Sequence, residues 1–369
     1  MINSVKNLFL LLLFVFVSVP SFSQDELTTV CMNYYTSVKD QGMTGTCWSF
    51  ATLGMLESEA QKNGYDNLNI SEMFIVRNIY IEKARNYILR QGTSRFEEGA
   101  MGHDVTTAIS KYGAMTEEAY SGLKPGYGHD HSQLVVRLRN YLNNVLKNIP
   151  VNPEWEKGYV KILNEHLGVP PEKFIFGGKE YTPAEFAAEI LKYNPDNYIN
   201  ITSFTHHPFY KPFNIEVPDN FSGGMYYNVP LDELIMITKE SLRNGYTVLW
   251  DADVSNNNFL MNSGYAMQLM NPLVYGVFNP DAEEMTVTQE ERQKLFENLT
   301  TQDDHLMQFV GIKRSKGGKD FFVTKNSWNE IGPYKGFLYA SESYFALNTI
   351  AVIVVKDAIP QVIRAKLGL

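Results

Sequence analysis

Apolar residues follow a helical period through the first part of the chain and a strand period towards its end. After a short extended lead, Gln41–Gly45 forms a glycine-bearing loop and Cys47–Ala60 reads as a helix. Trp48, Phe50, Ala51, Leu53, Met55 and Leu56 fall on several sides of that helix, which predicts first turns buried all round. Asn69-Ile70-Ser71-Glu72 opens a second, amphipathic helix running to about Tyr87. From His131 to Lys147, Leu134, Val135, Leu138, Tyr141, Leu142 and Val145 form one stripe. Thr182-Pro183-Ala184-Glu185 places Thr at an N-cap, Pro at the first helical position and Glu where it closes a capping box. Leu231–Leu242 is a further helix. Strand signals then dominate: 246–254, 306–313, 320–326, 336–340 and 349–355. The expectation is an α+β fold. Residues 24–124 are its mainly helical half, 125–235 a helical insertion, 236–355 its β-rich half and 356–369 a C-terminal tail.

Residues 1–23 read as an export signal rather than structure. Lys6 supplies the positive end, Leu8–Val19 the apolar run, and Ser21-Phe22-Ser23 small residues before a cut at Gln24. Cleavage removes Lys6 and takes the formal charge from −9 to −10. The protein is therefore expected outside the cytoplasm, periplasmic or secreted, with no membrane attachment after the signal is removed. So acidic a balance argues against a nucleic-acid partner. Two cysteines in 369 residues exclude a disulfide scaffold.

One of those cysteines carries the chemistry. Cys47 opens its helix, where unpaired N–H groups favour a thiolate. Thr46 is placed to cap that helix, and Gly42 and Gly45 keep the approach free of side chains. The Gln41 amide can join the Cys47 backbone N–H in an oxyanion hole. His305 and Asn326 lie at the two ends of an expected hairpin that turns at Ser315–Gly318. An even-length loop puts both side chains on one face, opposite or one diagonal apart. An amide oxygen there fixes the imidazole tautomer and leaves the other nitrogen for the thiol. Trp328 covers that hydrogen bond from water. Asp303-Asp304 either raise the imidazole pKa or simply lead the chain into its strand.

Gln41…Cys47-Trp48-Ser49-Phe50, His305 and Asn326-Ser327-Trp328 resemble the papain-type cysteine peptidases. The 258-residue separation of Cys47 and His305, Ser71-Glu72-Met73, Asp303-Asp304-His305 and the terminal Arg364–Leu369 resemble the bleomycin hydrolase / aminopeptidase C branch. The resemblance implies a papain-like fold with a helical left domain and a β-barrel-like right domain. It implies Cys47 as nucleophile, His305 as base and then acid, Asn326 as its orienter and Gln41 at the oxyanion. It also implies peptide substrates, no metal or organic cofactor, and a homo-oligomer, a hexamer by the same likeness. Gly99, beside Ala100, stands where that family pairs backbone with substrate, and Trp328 borders the same cleft. Leu369 would offer its carboxylate to a substrate α-ammonium if the tail threads the cleft; the other reading of the tail is a segment packed outside.

An exported cysteine aminopeptidase follows. Its rivals are an endopeptidase of the same mechanism and a catalytically silent peptide-binding homologue. His129-Asp130-His131 and His206-His207 lack companions at a recognised metal-ligand spacing. Cys31 is expected free, because a bond to Cys47 would consume the nucleophile.

Overall fold

The computed structural model describes residues 27–124, 126–271 and 278–369; the export segment expected at 1–23 lies outside the described residues. Strand β1 (Leu27–Met32) leads into three helices, α1 (Cys47–Lys62), α2 (Glu72–Leu89) and α3 (Gly102–Tyr112). α1 is buried without a break from Cys47 to Ser58, as its scattered apolar positions predict. α2 departs from the amphipathic expectation, since every residue from Glu72 to Ile81 is buried between neighbouring helices. Ser71 caps it, its hydroxyl accepting from the Phe74 amide at 3.0 Å.

The middle of the chain carries α4 (Ser132–Leu146), α5 (Trp155–Leu167), a small hairpin of β2 (Phe174–Phe176) and β3 (Lys179–Tyr181), and α6 (Pro183–Glu189). The capping box forms as read, with Thr182 and Glu185 bonded both ways. Beyond its helices this region lends three short strands to the main sheet: β4 (Tyr198–Thr202), β5 (Pro212–Asn214) and β6 (Met225–Asn228). Helix α7 (Leu231–Arg243) follows.

The rest of the sheet is β7 (Val248–Ala252), β8 (Phe259–Leu260), β9 (Tyr265–Ala266), β10 (His305–Ser315), β11 (Asp320–Lys325), β12 (Phe337–Ser341) and β13 (Thr349–Val355). The strand order is β5-β6-β4-β13-β7-β10-β11-β12-β9-β8, with β1 also on β10. Helices α8 (Gln289–Glu297), α9 (Glu342–Asn348) and α10 (Gln361–Leu367) complete the described elements. Among the described residues no helix is long and apolar enough to cross a membrane.

Two features of β10 position the site. α1 lies so close to it at Gly54 that a Cβ there would be 2.7 Å from Gln308 Oε1. From that contact Cys47 is seven residues back along a helix and His305 three back along a strand, each about 10 Å at ordinary rises. The two reach the same end of the seam. The hairpin's register also differs from expectation. Arg314 faces Asp320 across an odd three-residue loop, and a bulge between Phe309 and Gly311 restores the parity, so that Gln308 faces Lys325. His305 and Asn326 do share a face, but the bulge is the reason.

The tail is compact. A 3₁₀ turn at Lys356–Ala358 and helix α10 fold it onto the outside of the sheet, where Leu369 packs partly buried against the core containing Leu234, Ile237 and Ile363.

Candidate active site

Cys47 is the first residue of α1, and both it and Trp48 are buried. Thr46 occupies the N-cap position without capping; its hydroxyl bonds Thr44 at 2.6 Å instead. Gly45 lines the cleft as expected, and both glycines before Cys47 also allow close docking of neighbouring segments. A Cβ on Gly42 would meet the His129 carbonyl at 2.4 Å, and one on Gly45 would meet Glu98 at 3.1 Å. The Trp48 indole donates to the carbonyls of Gly45 and Glu98, tying the nucleophile loop to the segment that carries Gly99. From the other side, the Leu306 amide donates to the Cys47 sulfur at 3.5 Å.

Asn326 settles the imidazole. Its Oδ1 accepts from the Ser327 amide at 2.7 Å, which identifies that atom as the oxygen. The same oxygen lies 2.7 Å from His305 Nε2, so Nε2 carries the proton and Nδ1 is left as the base. Trp328 stacks over the ring at 4.5 Å between centroids, with Phe259 edge-on behind the indole.

Gln41 is held equally firmly. Its Nε2 donates to the Thr44 carbonyl at 2.6 Å, and its Oε1 accepts from the Ser327 hydroxyl at 2.7 Å. One amide N–H remains for a developing oxyanion. The Cys47 backbone N–H, at a helix start, has no backbone partner among the described residues. Ser327 thus braces both Asn326 and Gln41. The only sequence signal for this role was its place between two functional residues.

Burial sets the resting charge state. It pushes the Cys47 thiol up to about 12, against the lowering effect of the Leu306 amide. It holds His305 down to about 4, although Asn326 and Asp304 both act to raise it. Asp251, Asp303 and Asp219 add to the rise of the thiol, and Asp304 acts as expected on the imidazole, but desolvation is the largest influence on both. Both shifts disfavour the charged forms in the closed site.

A cleft of about 400 Å³ joins these groups. Gln41, Cys47, His305 and Trp328 line it together with Gly99, Arg95, Asp219, Asp303 and Asp304. The Gly99 carbonyl accepts from the buried Lys83 ammonium. Leu369 is not among the residues lining the cleft; α10 holds the tail beside α7, where Lys366 bonds Glu233 at 2.5 Å. Cys31 is a free thiol, as expected.

His206 and His207 gain a companion the sequence did not reveal, Glu216, at 3.1 and 2.6 Å from their Nε2 atoms. The cluster closes on itself without a cation. Gln293 Oε1 accepts the Thr205 amide, so its NH₂ faces His206 Nδ1 at 2.9 Å. His206 Nε2 then holds the proton donated to Glu216, whereas a metal ligand needs that nitrogen bare.

A thiol and an amide-held imidazole converging on one cleft is the layout of a cysteine-type peptidase. Comparison with known proteins makes this specific. Residues 150–368 match the family model of the Peptidase C1-like family, and residues 25–141 that of the papain family cysteine proteases. The chain belongs to the Peptidase C1-like family. It is 23% identical to bleomycin hydrolase of Rattus norvegicus over 388 residues, covering 89% of this chain and 82% of that one. It is 22% identical to aminopeptidase G of Lactobacillus delbrueckii subsp. lactis, covering 87% and 81%. The solved structure of PepW from Lactobacillus rhamnosis HN001 superposes with a TM-score of 0.74 at 18% identity, covering 92% of this chain and 84% of that one, a likeness of fold.

Proposed function

We propose that the protein is an exported cysteine aminopeptidase that removes residues from the N-termini of peptides. The observation carrying this reading is the convergence on one cleft of the Cys47 sulfur, contacted by the Leu306 amide at 3.5 Å, and the neighbouring His305, bound to Asn326 at 2.7 Å. In the reaction, His305 Nδ1 takes the thiol proton as sulfur bonds to the scissile carbonyl carbon. Gln41 and the Cys47 N–H hold the oxyanion. The C–N bond breaks as the imidazolium protonates the leaving amine, and water, deprotonated by the same ring, hydrolyses the thioester and restores the thiol. No step calls on a metal or organic cofactor.

The aminopeptidase assignment is supported by the names of the relatives, export by residues 1–23, and a homo-hexamer only by the family likeness. Export is tested by the N-terminal residue of the mature protein, and assembly by its mass in solution. The activity test compares free-amine and N-acetylated aminoacyl amides, with Cys47→Ala as control and a thiol-directed epoxide as active-site titrant. Faster turnover of the free-amine reporter, abolished in Cys47→Ala, is expected. Equal cleavage of blocked peptides would make the protein an endopeptidase, and absence of both turnover and labelling a silent homologue.

A further inference from the structure

An N-terminal trimmer must recognise an α-ammonium and stop the chain from running on. Because the described tail does not line the cleft, a residue that does line it must do both. The loop between β5 and β6 supplies a candidate in Asp219. Its carboxylate lies directly on the Cα face of Gly99, where an added Cβ would be 1.8 Å from Oδ2 and 2.6 Å from Oδ1. Gly99 itself borders the cleft that holds Cys47 and His305. A peptide laid along this edge meets a carboxylate end-on.

That carboxylate is presented rather than consumed. Among the described residues its only close ionic contact is Arg95 Nη1 at 3.7 Å, beyond hydrogen-bonding reach. Lys83 donates to the Gly99 carbonyl rather than to Asp219, and its charge, with that of Arg95, attracts the carboxylate from a distance. The cleft wall sets three carboxylates, Asp219, Asp303 and Asp304, against the single guanidinium of Arg95. Carboxylates still outnumber cations there when Lys83 behind Gly99 is counted, which favours a positive group in the cleft.

The loop is built to hold this pose. The Asn220 amide donates to the carbonyls of Ile215 and Gly224 at 3.0 and 3.1 Å, and its Oδ1 accepts from the Gly224 amide at 2.8 Å. Gly224 in turn lies flat on the His103 ring, where any Cβ would come within 2.4 Å. The Phe221 carbonyl accepts from Asn86 on α2. Asp219 is thus fastened to α2 and α3 rather than carried on a free loop tip.

We infer that Asp219 pairs with the α-ammonium of the substrate and blocks the cleft beyond it, making the site an exopeptidase. The inference rests on the peptidase reading above and names the residue that sets its specificity. A two-by-two cycle tests it. Wild type and Asp219→Asn are each assayed on an aminoacyl amide and on its analogue with hydroxyl in place of ammonium, with active sites counted by epoxide titration. Loss of the ammonium should lower kcat/KM at least tenfold in wild type and less than threefold in the variant. Asp219→Gly, which clears the cleft, should raise cleavage of an N-acetylated dipeptidyl amide. An ammonium effect of equal size in wild type and Asp219→Asn overturns the role of Asp219 while leaving the aminopeptidase intact. Wild type that ignores the ammonium overturns the aminopeptidase reading as well, and wild type that neither cleaves nor labels overturns the peptidase reading itself.

Discussion

Two groups of buried carboxylates lie along the seam between helices and sheet, and they are neutralised in opposite ways. Behind the nucleophile helix, Lys39 bridges Glu57 of α1 and Glu72 of α2 at 2.8 and 2.5 Å. The Thr36 hydroxyl and Ile70 amide complete Glu57, and Lys325 of β11 reaches Thr36 from the sheet. Beside the cleft, Asp251 of β7 and Asp303 lie near each other; among the described residues no lysine or arginine is bonded to either, and neither Asp251 oxygen has a hydrogen-bond partner. Burial, with repulsion from Asp219 and Asp304, pushes Asp303 up to about 7, and burial with repulsion from Asp303 pushes Asp251 well above the usual carboxylate range. Burial favours the protonated forms in the second group, where the first has a lysine. Filled by fixed cations, the first group is frame. The second lies beside Asp219, where the cleft's charge is left for a ligand to meet.

The strongest test of that contrast is Lys39→Met. It leaves two buried carboxylates facing each other without their cation, a change that costs about 3–5 kcal/mol for pairs of this kind. Urea unfolding at pH 7 should show that loss. A change below about 1 kcal/mol would make the first group as dispensable as the second is expected to be.

Gln41→Ala separates frame from chemistry within a single segment, since Gln41 follows Lys39 by two residues. The Gln41 amide is fixed by Thr44 and Ser327 with one N–H to spare, so its removal should lower kcat by about 10²–10³-fold, the usual cost of one oxyanion donor. Stability should fall far less than in Lys39→Met. If kcat survives, the oxyanion is held elsewhere.

Legibility in the sequence divides along the same line. Cys47, His305, Asn326 and Gln41 could be read because their residue types and spacing carry reaction chemistry whatever the surroundings. The parity argument for His305 and Asn326 reached the right face only because the bulge after Phe309 offset a loop one residue shorter than assumed. Pairings between distant segments were not legible. Asp219 meets Gly99 across 120 positions, and nothing local in 215–224 marks its aspartate as special. Of the two readings left open for the tail, the packed one is observed, and its period was there to see: Pro360 precedes Ile363 and Leu367, an i, i+4 pair that α10 buries. The protonation state escaped as well, because helix-end and neighbour charges can be read from sequence but desolvation cannot.

A smaller effect concerns pH. A carboxyl whose folded pKa is raised binds its proton more tightly in the native state, so its contribution is complete below the unfolded value. That contribution is lost as pH rises through the folded one. For Asp303 the window runs from about 4 to about 7, with a slope of at most about 1.4 kcal/mol per pH unit. His305, held down to about 4, and His131, held down to about 3, tilt the same window the other way, stability falling as pH falls. The readout is therefore the difference between wild type and Asp303→Asn, which should decline with rising pH across this window and flatten above it. A difference that is level with pH would mean that the pair holds no proton.

The smallest expected effect is the most discriminating. Asp251→Asn is nearly isosteric and replaces a carboxyl that burial already disfavours as an anion. Buried ion pairs resist loss of one partner because a bare charge remains, and here none does. Unfolding free energy at pH 7 should therefore change by no more than about 1 kcal/mol, against the several lost in Lys39→Met. A loss matching that of Lys39→Met would mean that the cleft-side carboxylates are frame after all, and the contrast between the two groups would fail.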